Sequence, residues 1–245
     1  MTEPTVLYEV SDGVALITLH RPEARNAINS VLARELLDVM ATAESSDDVR
    51  VMVFTGSGPS FSGGVDLKEF RATGRAPVGA SDAILAAGEL IKPAIGAING
   101  PAMTGALELV LGLDFLIASD RAVFADTHAA VGILPGGGMT ARLPRAIGFR
   151  QAFELSATGV AWSAEQAHQM GLVNRVVTHD ELIAEALSTA RAMAQRDPGV
   201  LTALKSLYRG SAGGSLAEAI RLEVSARDLR RAAGTAFVPH ARPSS

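Results

Sequence analysis

Apolar and polar residues alternate in short blocks, and the blocks predict elements one after another. Residues 6–10 and 14–19 are β-rich runs parted by Ser11-Asp12-Gly13, a hairpin pattern. After a polar loop at 20–27, Asn29 or Ser30 caps a helix that carries Leu32, Leu36, Val39 and Met40 on one face. Ser45-Ser46-Asp47-Asp48 ends that helix, and residues 49–55 read as a buried strand. Residues 71–80 are rich in Gly, Pro and Ala with few large apolar groups, which predicts a mobile segment. A helix over 81–91 follows, and later short strands at 115–118 and 122–125. A Gly-rich loop over 129–138 leads into a helical region that reaches about residue 156.

Further along, Ser163 with Gln166 forms a capping-box signature and Gly171 a helix stop. Residues 173–177 make a last strand. Thr178 with Glu181 caps a helix to about residue 195, Asp197-Pro198 opens another, and Ser215 with Glu218 caps the final one. The pattern predicts a strand/helix core over residues 1–193 and a helical region over 194–245. Within the core a strand–strand–helix rhythm recurs without an exact sequence repeat.

The stretch 94–108 organises the rest. It is an apolar run, a turn marked by Asn99-Gly100-Pro101, and the start of a helix near residues 103–105. Such a start presents unpaired backbone N–H groups and a positive dipole end. Glu108 lies one turn inside a segment that is otherwise Ala, Leu, Val and Gly. A carboxylate there is costly to bury unless something uses it.

Composition narrows the class. With 48% apolar residues the 245-residue chain can bury a real core. A net charge of −4 gives no basic field, so nucleic acid is not an expected partner. There is no cysteine, which excludes disulfides and thiol nucleophiles and suits a reducing compartment. The first residues lack a basic-then-apolar leader, and no apolar run reaches the ~20 residues of a membrane span. A soluble, cytoplasmic chain with no membrane partner is expected.

Two Gly-bearing turns, Gly63-Gly64 and Thr104-Gly105, each follow a predicted buried strand. Brought together they could aim two N–H groups at one oxygen, as in an oxyanion hole; alternatively the glycines only let the backbone turn tightly. Gly136-Gly137-Gly138 lacks the Gly-Lys-Ser/Thr of a phosphate loop, and Ser57 and Ser62 have no defined acid partner for a serine triad. The five histidines, His20, His128, His168, His179 and His240, show no ligand spacing, so no metal is expected. Met103, Met139 and Phe149 suit either an apolar pocket or plain core packing.

Five ordered motifs resemble those of the enoyl-CoA hydratase/isomerase (crotonase) family. They are Arg21-Pro22-x-x-x-Asn26-Ala27, Phe61-Ser62-Gly63-Gly64-Val65-Asp66-Leu67, Asn99-Gly100-Pro101-Ala102-x-x-Gly105-x-x-Glu108, Gly132-Ile133-Leu134-Pro135-Gly136, and the run from Ser163 to Val173. The resemblance spans roughly residues 6–207, and implies an α/β fold, a crotonase-like spiral of repeated β-β-α units with a C-terminal helical region.

It also implies an acyl-CoA thioester substrate, with coenzyme A part of that substrate and no separate cofactor. The N–H groups of Gly63 and Gly105 would stabilise an enolate; the family usually has Ala at the position of Gly63. Gly63, Gly64, Val65, Asp66 and Leu67 would line the thioester and pantetheine, with Pro135 and Gly136 also touching the acyl-CoA. Arg25 and Ala27 would lie by the adenine or phosphates, although Arg25 also fits a plain surface cation. Glu108 matches the first of two water-activating glutamates; pairing with Arg142 or Arg145 is its structural alternative. The second glutamate is replaced by His128, which can hold water or move a proton, or simply form a pocket wall. Asp126 is the nearest other carboxylate, on the same face if the strand extends that far.

The implied reaction is reversible hydration of a 2-enoyl-CoA. Isomerisation, C–C cleavage, decarboxylation or acyl-CoA binding without catalysis are the alternatives that His128 leaves open. A homotrimer or hexamer built through the helical region is the implied assembly. Residues 229–245 depart from the family pattern, with only Ala236-Phe237 and Arg242-Pro243 echoing it.

Overall fold

In the computed structural model, which describes residues 3–234, strands β1 (Val6–Ser11) and β2 (Val14–Leu19) pair antiparallel around Asp12 and Gly13. Both turn residues take positive φ, 55° and 79°, which is the backbone twist a two-residue hairpin needs. Helix α1 (Ser30–Ser45) starts where the Asn29 side chain accepts from Leu32 N at 2.9 Å, and it buries Leu32, Ala33, Leu36 and Met40. Strand β3 (Val51–Gly56) follows, then α2 (Leu67–Thr73), α3 (Ala80–Ala87), β4 (Ala94–Ile98), β5 (Ala102–Met103) and α4 (Gly105–Val110). Next come β6 (Phe115–Ser119), β7 (Val123–Ala125), α5 (Met139–Ile147), α6 (Phe149–Thr158), β8 (Trp162–Ser163), α7 (Ala164–Gln169), β9 (Arg175–Val177) and α8 (Leu182–Ala194).

Six strands form one sheet in the order β1-β2-β3-β4-β6-β9, parallel from β2 onward. A second sheet has the order β5-β7-β8. Strands β3 and β4 are buried at every position, as parallel strands covered on both faces must be. Side-chain alternation sorts the two faces. Val51, Val53, Ile95, Ala97 and Ile117 pack against Leu182, Ala186, Ala190 and Ala194 of α8. Met52, Phe54, Ile98 and Leu116 face the larger core that α1, α3 and α4 complete.

Local chemistry accounts for the differences from the sequence reading. The 71–80 segment is not one loop, because the Asp66 carboxylate accepts from Lys68 N and Glu69 N and starts α2, which runs to Thr73. Helix α3 stops at Ala87, with Gly88 as its C-cap. Gly148, at φ 84° and ψ 156°, breaks the expected 139–156 helix into α5 and α6. Thr178 does not cap α8: its hydroxyl donates to Glu181 Oε2 at 2.6 Å, and a single 3-10 turn at His179–Glu181 precedes the helix. The Ser163–Gln166 capping box is present.

Compact packing divides the chain after Pro198. The second unit holds helix α9 (Pro198–Ser211) from its second residue on and α10 (Leu216–Ala232), the latter started by the Ser215–Glu218 capping box. Among the described residues no helix is long and apolar enough to cross a membrane. Ala236, Phe237, Arg242 and Pro243 lie outside the described residues.

Candidate active site

The 61–67 loop is stitched to its neighbours almost atom by atom. Val65 bridges to Ile28 and Ser62 to Ala102. Gly63 N donates to Arg25 O at 2.8 Å, Gly64 N to Ser62 Oγ at 3.1 Å, and Asp66 N to Ile28 O at 3.0 Å. Val65 N is the one donor of residues 63–66 that has no acceptor among the described residues. Gly105 N, at the first position of α4, is likewise unengaged. The two nitrogens are neighbours: a Cβ added to Gly105 would lie 3.3 Å from Val65 N, and one added to Gly64 would lie 3.2 Å from Gly105 N. Gly64 is required on two counts, a φ of +86° and a Cβ position only 2.6 Å from Met103 O.

The pair of free donors is therefore Val65 and Gly105. Assigning Gly63 as a donor is incorrect, because the Arg25 carbonyl already takes its N–H. Gly63 tolerates the Ala usual in the resembled motif, since its Cβ would meet nothing closer than 3.7 Å.

Thr104 sets the turn between β5 and α4 at φ 53° and ψ −106°. That region belongs to glycine, and a β-branched residue there stores about 1–3 kcal/mol of strain. Three contacts hold it: Thr104 N donates to Ala125 O at 2.8 Å, its hydroxyl pairs with Thr127 Oγ1 at 2.6 Å, and Thr127 N donates to Thr104 Oγ1 at 3.2 Å.

Glu108 lies one turn along α4 and is 2% exposed. Its Oε1 accepts from Gly137 N at 2.7 Å and Met139 N at 3.1 Å. Its Oε2 faces His128 Nε2 across 3.8 Å. Neither arginine pairs with it, for Arg142 donates to Gly137 O and Arg145 to Ala141 O. On the other side of the imidazole, His128 Nδ1 lies 2.6 Å from Asp126 Oδ1, which also accepts from His128 N at 3.1 Å. Asp126 is fully buried. Burial pushes its carboxyl up, but the His128 ring N–H, the nearby Ser156 hydroxyl and the His128 backbone N–H outweigh that and hold it below the usual carboxylate range. Strand β7 ends at Ala125, so the Asp126 side chain, rather than strand alternation, brings these two residues together.

Two cavities meet here. A smaller one of about 190 Å³ has apolar walls from Leu67, Phe70, Ile84, Ile133 and Leu134, with Glu108 and His128 also lining it. An open groove of about 960 Å³ is lined by Arg21, Arg25, Ala27, Asp66, Lys68 and Met103 among others. Gly63, Val65, Leu67 and Thr127 belong to both, so the unengaged Val65 N–H lies at their junction.

The sequence profile described as "Enoyl-CoA hydratase/isomerase" matches residues 9–228. The chain belongs to that family. It is 37% identical over 215 residues to the Arabidopsis thaliana protein named "Probable enoyl-CoA hydratase 1, peroxisomal", covering 87% of this chain and 81% of that one. It is also 37% identical over 228 residues to a "Probable enoyl-CoA hydratase" of Rhizobium meliloti, covering 91% and 88%. Among solved structures, an enoyl-CoA hydratase from Bacillus anthracis superimposes with a TM-score of 0.87 at 31% identity, covering 91% of this chain and 90% of that one. The fold is the crotonase fold.

Within this family member, the residues expected to bind acyl-CoA divide by position. Arg25, Ala27, Val65, Asp66 and Leu67 line the groove, and Gly136 lines the smaller cavity. Gly64, Gly105 and Pro135 line neither, Gly64 shaping the loop and Gly105 standing beside Val65 at the start of α4. Asp66 has structural work as well. It pairs with Arg21 at 3.0 Å and caps α2, and although burial raises its carboxyl, the Arg21 hydrogen bond and the Glu69 and Lys68 N–H groups hold it low. Asn26 is buried and binds the carbonyls of Ser57, Ser60 and Phe61, so it braces the loop. Met103 lines the groove, Met139 is in the core, and Phe149 is exposed on α6. Among the described residues no cluster of His, Asp and Glu could hold a metal ion.

Proposed function

We propose that the protein is an enoyl-CoA hydratase, a lyase that reversibly adds water across the α,β double bond of a 2-enoyl-CoA. The observation that carries this reading is the pairing of two unengaged donors, Val65 N and Gly105 N, with two facing proton-transfer groups, Glu108 and His128. Coenzyme A is part of the substrate, and no further cofactor is invoked. Its phosphates suit the groove that carries Arg21, Arg25 and Lys68, and the acyl chain suits the apolar cavity.

The geometry performs the chemistry in a fixed order. The thioester carbonyl accepts from Val65 and Gly105, which withdraws electrons from the β-carbon. Each such donor contributes about 2.7–4 kcal/mol to an oxyanion-like transition state. The 3.8 Å between Glu108 Oε2 and His128 Nε2 is too long for a direct hydrogen bond and short enough for one substrate water to touch both. One group removes a proton from that water as its oxygen bonds to the β-carbon. The π electrons move to the carbonyl oxygen, and the resulting enolate takes a proton at the α-carbon.

A homotrimer or hexamer remains the assembly we propose for it. Incubation with a series of 2-enoyl-CoA thioesters, followed by product analysis, tests the reading. The expected product is a 3-hydroxyacyl-CoA. Conversion of a 3-enoyl-CoA to its 2-enoyl isomer with no hydroxylated product would overturn it in favour of isomerisation.

A further inference from the structure

We propose that Asp126 and His128 act as one acid/base unit opposite Glu108, with Asp126 as the positioning residue that presents His128 Nε2 to the reacting carbons. The proposal rests on the hydratase reading and adds to it a residue and a proton itinerary.

The hydrogen bonds fix the orientation. Asp126 Oδ1 accepts from His128 N at 3.1 Å and lies 2.6 Å from His128 Nδ1. An ionised carboxylate can only accept, so Nδ1 carries the hydrogen. Nε2 is then a lone pair in the neutral ring or a donor in the imidazolium, and it points across 3.8 Å to Glu108 Oε2. Asp126 is buried completely, and beside its contacts to His128 its carboxylate has the approach of the Ser156 hydroxyl but no hydrogen bond of ordinary length to Oδ2. A buried carboxylate so sparsely partnered is costly unless its charge is used. The charged groups that face the ring are these two carboxylates. Ser156 approaches Asp126 from α6, and loop residues 133–138 carry no titratable side chain. Arg142 is directed at the Gly137 carbonyl.

The charge count then closes. With Asp126 ionised, one proton can sit on Glu108 beside a neutral ring, or on Nε2 beside an ionised Glu108. Both arrangements have the same net charge, so the proton can lie on either side without changing the charge of the site. Hydration starts from the second arrangement. Glu108 takes a proton from water, the water oxygen bonds to the β-carbon, and the π pair moves to the carbonyl oxygen. The imidazolium then gives its Nε2 proton to the α-carbon as the enolate reverts to a thioester. The cycle ends in the first arrangement, from which dehydration starts, and a proton passing from Oε2 to Nε2 through one water resets it. The charge is the same on either side whether or not Asp126 is present; what Asp126 adds is stabilisation of the imidazolium and a ring held with Nε2 toward Glu108.

The test uses the full chain and Asp126→Asn, which keeps an acceptor for His128 N but can also donate to Nδ1. With a 2-enoyl-CoA, kcat is expected to fall about 10²–10⁴-fold while KM stays within about threefold. Nitrogen-15 NMR of labelled histidine, with His128→Gln assigning the signal, is expected to show the Nδ1–H tautomer in the unmodified protein and Nε2–H in the variant. The double variant is expected to be no slower than His128→Gln alone. Turnover by Asp126→Asn within threefold of the unmodified protein, additive losses in the double variant, or an Nε2–H tautomer in the unmodified protein would each overturn the proposal. The tautomer of the unmodified protein is read without turnover and without a folded Asp126→Asn, with His128→Gln serving only to assign the signal. A protein that hydrates no enoyl-CoA therefore defeats the hydratase reading, while the NMR signal still decides the role of Asp126.

Discussion

Gly137 N donates to Glu108 Oε1 at 2.7 Å, and together with Met139 N at 3.1 Å it turns the other carboxylate oxygen, Oε2, toward His128. Gly137 also makes room for it. A Cβ there would lie 2.7 Å from Oε2 and 2.5 Å from Ile84 Cγ2, closer than real contacts allow. Gly137→Ala is expected to displace the carboxylate and lower kcat by about 10²-fold, since small misplacements of a catalytic group have that effect. Steady-state kinetics with a 2-enoyl-CoA, and circular dichroism to confirm folding, check it.

Glu108→Gln keeps the size of the side chain and an acceptor for Gly137 N but removes the base. A loss of about 10²–10⁴ in kcat with acyl-CoA binding retained is the expected result. Calorimetric titration with a saturated acyl-CoA measures the binding half of that statement. A variant that turns over at the rate of the unmodified protein would show that Glu108 is a structural carboxylate.

Gly63 and Gly105 separate under the same substitution. Gly63→Ala places its Cβ at ordinary contact distance, 3.7 Å from Arg25 O, on a residue whose N–H is already engaged. Activity within about twofold is expected there, in the range of substitutions that disturb no packing. Gly105→Ala puts a methyl 3.0 Å from Val65 Cγ2 and 3.3 Å from Val65 N, in the space between the two donors. A kcat loss of about 10²–10³, the cost of losing one oxyanion donor, is expected. Equal losses at both positions would return the donor role to Gly63.

Asp66 makes the protein's stability depend on acid. Its folded-state carboxyl is held below the ordinary value, so the unfolded chain binds more protons as pH falls. The stabilisation is complete above the unfolded pKa and is lost as pH falls through the lower folded one. Asp66→Asn keeps a capping side chain for α2 but loses the Arg21 ion pair. Thermal melts across a pH series are expected to show the largest deficit near neutrality, shrinking through the carboxylate range. A deficit that stays constant with pH would rule out the charge as its source.

Much of the fold was legible because local chemistry and packing agree. The hairpin turn at Asp12-Gly13, the Asn29 cap and the Ser163 and Ser215 capping boxes all work through atoms within three residues of each other. The two-residue strands β5 and β8 carry too few residues to show a period, and Gly148 divides a helical pattern that reads as continuous. At the site, Glu108 stood out as a carboxylate in an apolar helix, and His128 as the departure from a motif. The donor beside Gly105 was not legible. Whether Gly63 or Val65 keeps a free N–H depends on the Arg25 carbonyl, about forty residues away in sequence, and spacing within the motif does not report it. Asp126 was visible as a carboxylate, but its bond to His128 arises in a turn beyond the strand that would have predicted it.

In the proposed reaction one oxygen of the substrate sits between Val65 and Gly105 while one water sits between Glu108 and His128. A crystal structure of the protein with an unreactive enoyl-CoA analogue tests both parts at once. A thioester oxygen is expected about 2.7–3.1 Å from Val65 N and from Gly105 N. A water is expected in contact with Glu108 Oε2 and His128 Nε2 beside the β-carbon. A thioester oxygen bound away from the Val65–Gly105 pair, or a β-carbon out of reach of both side chains, would contradict that reaction.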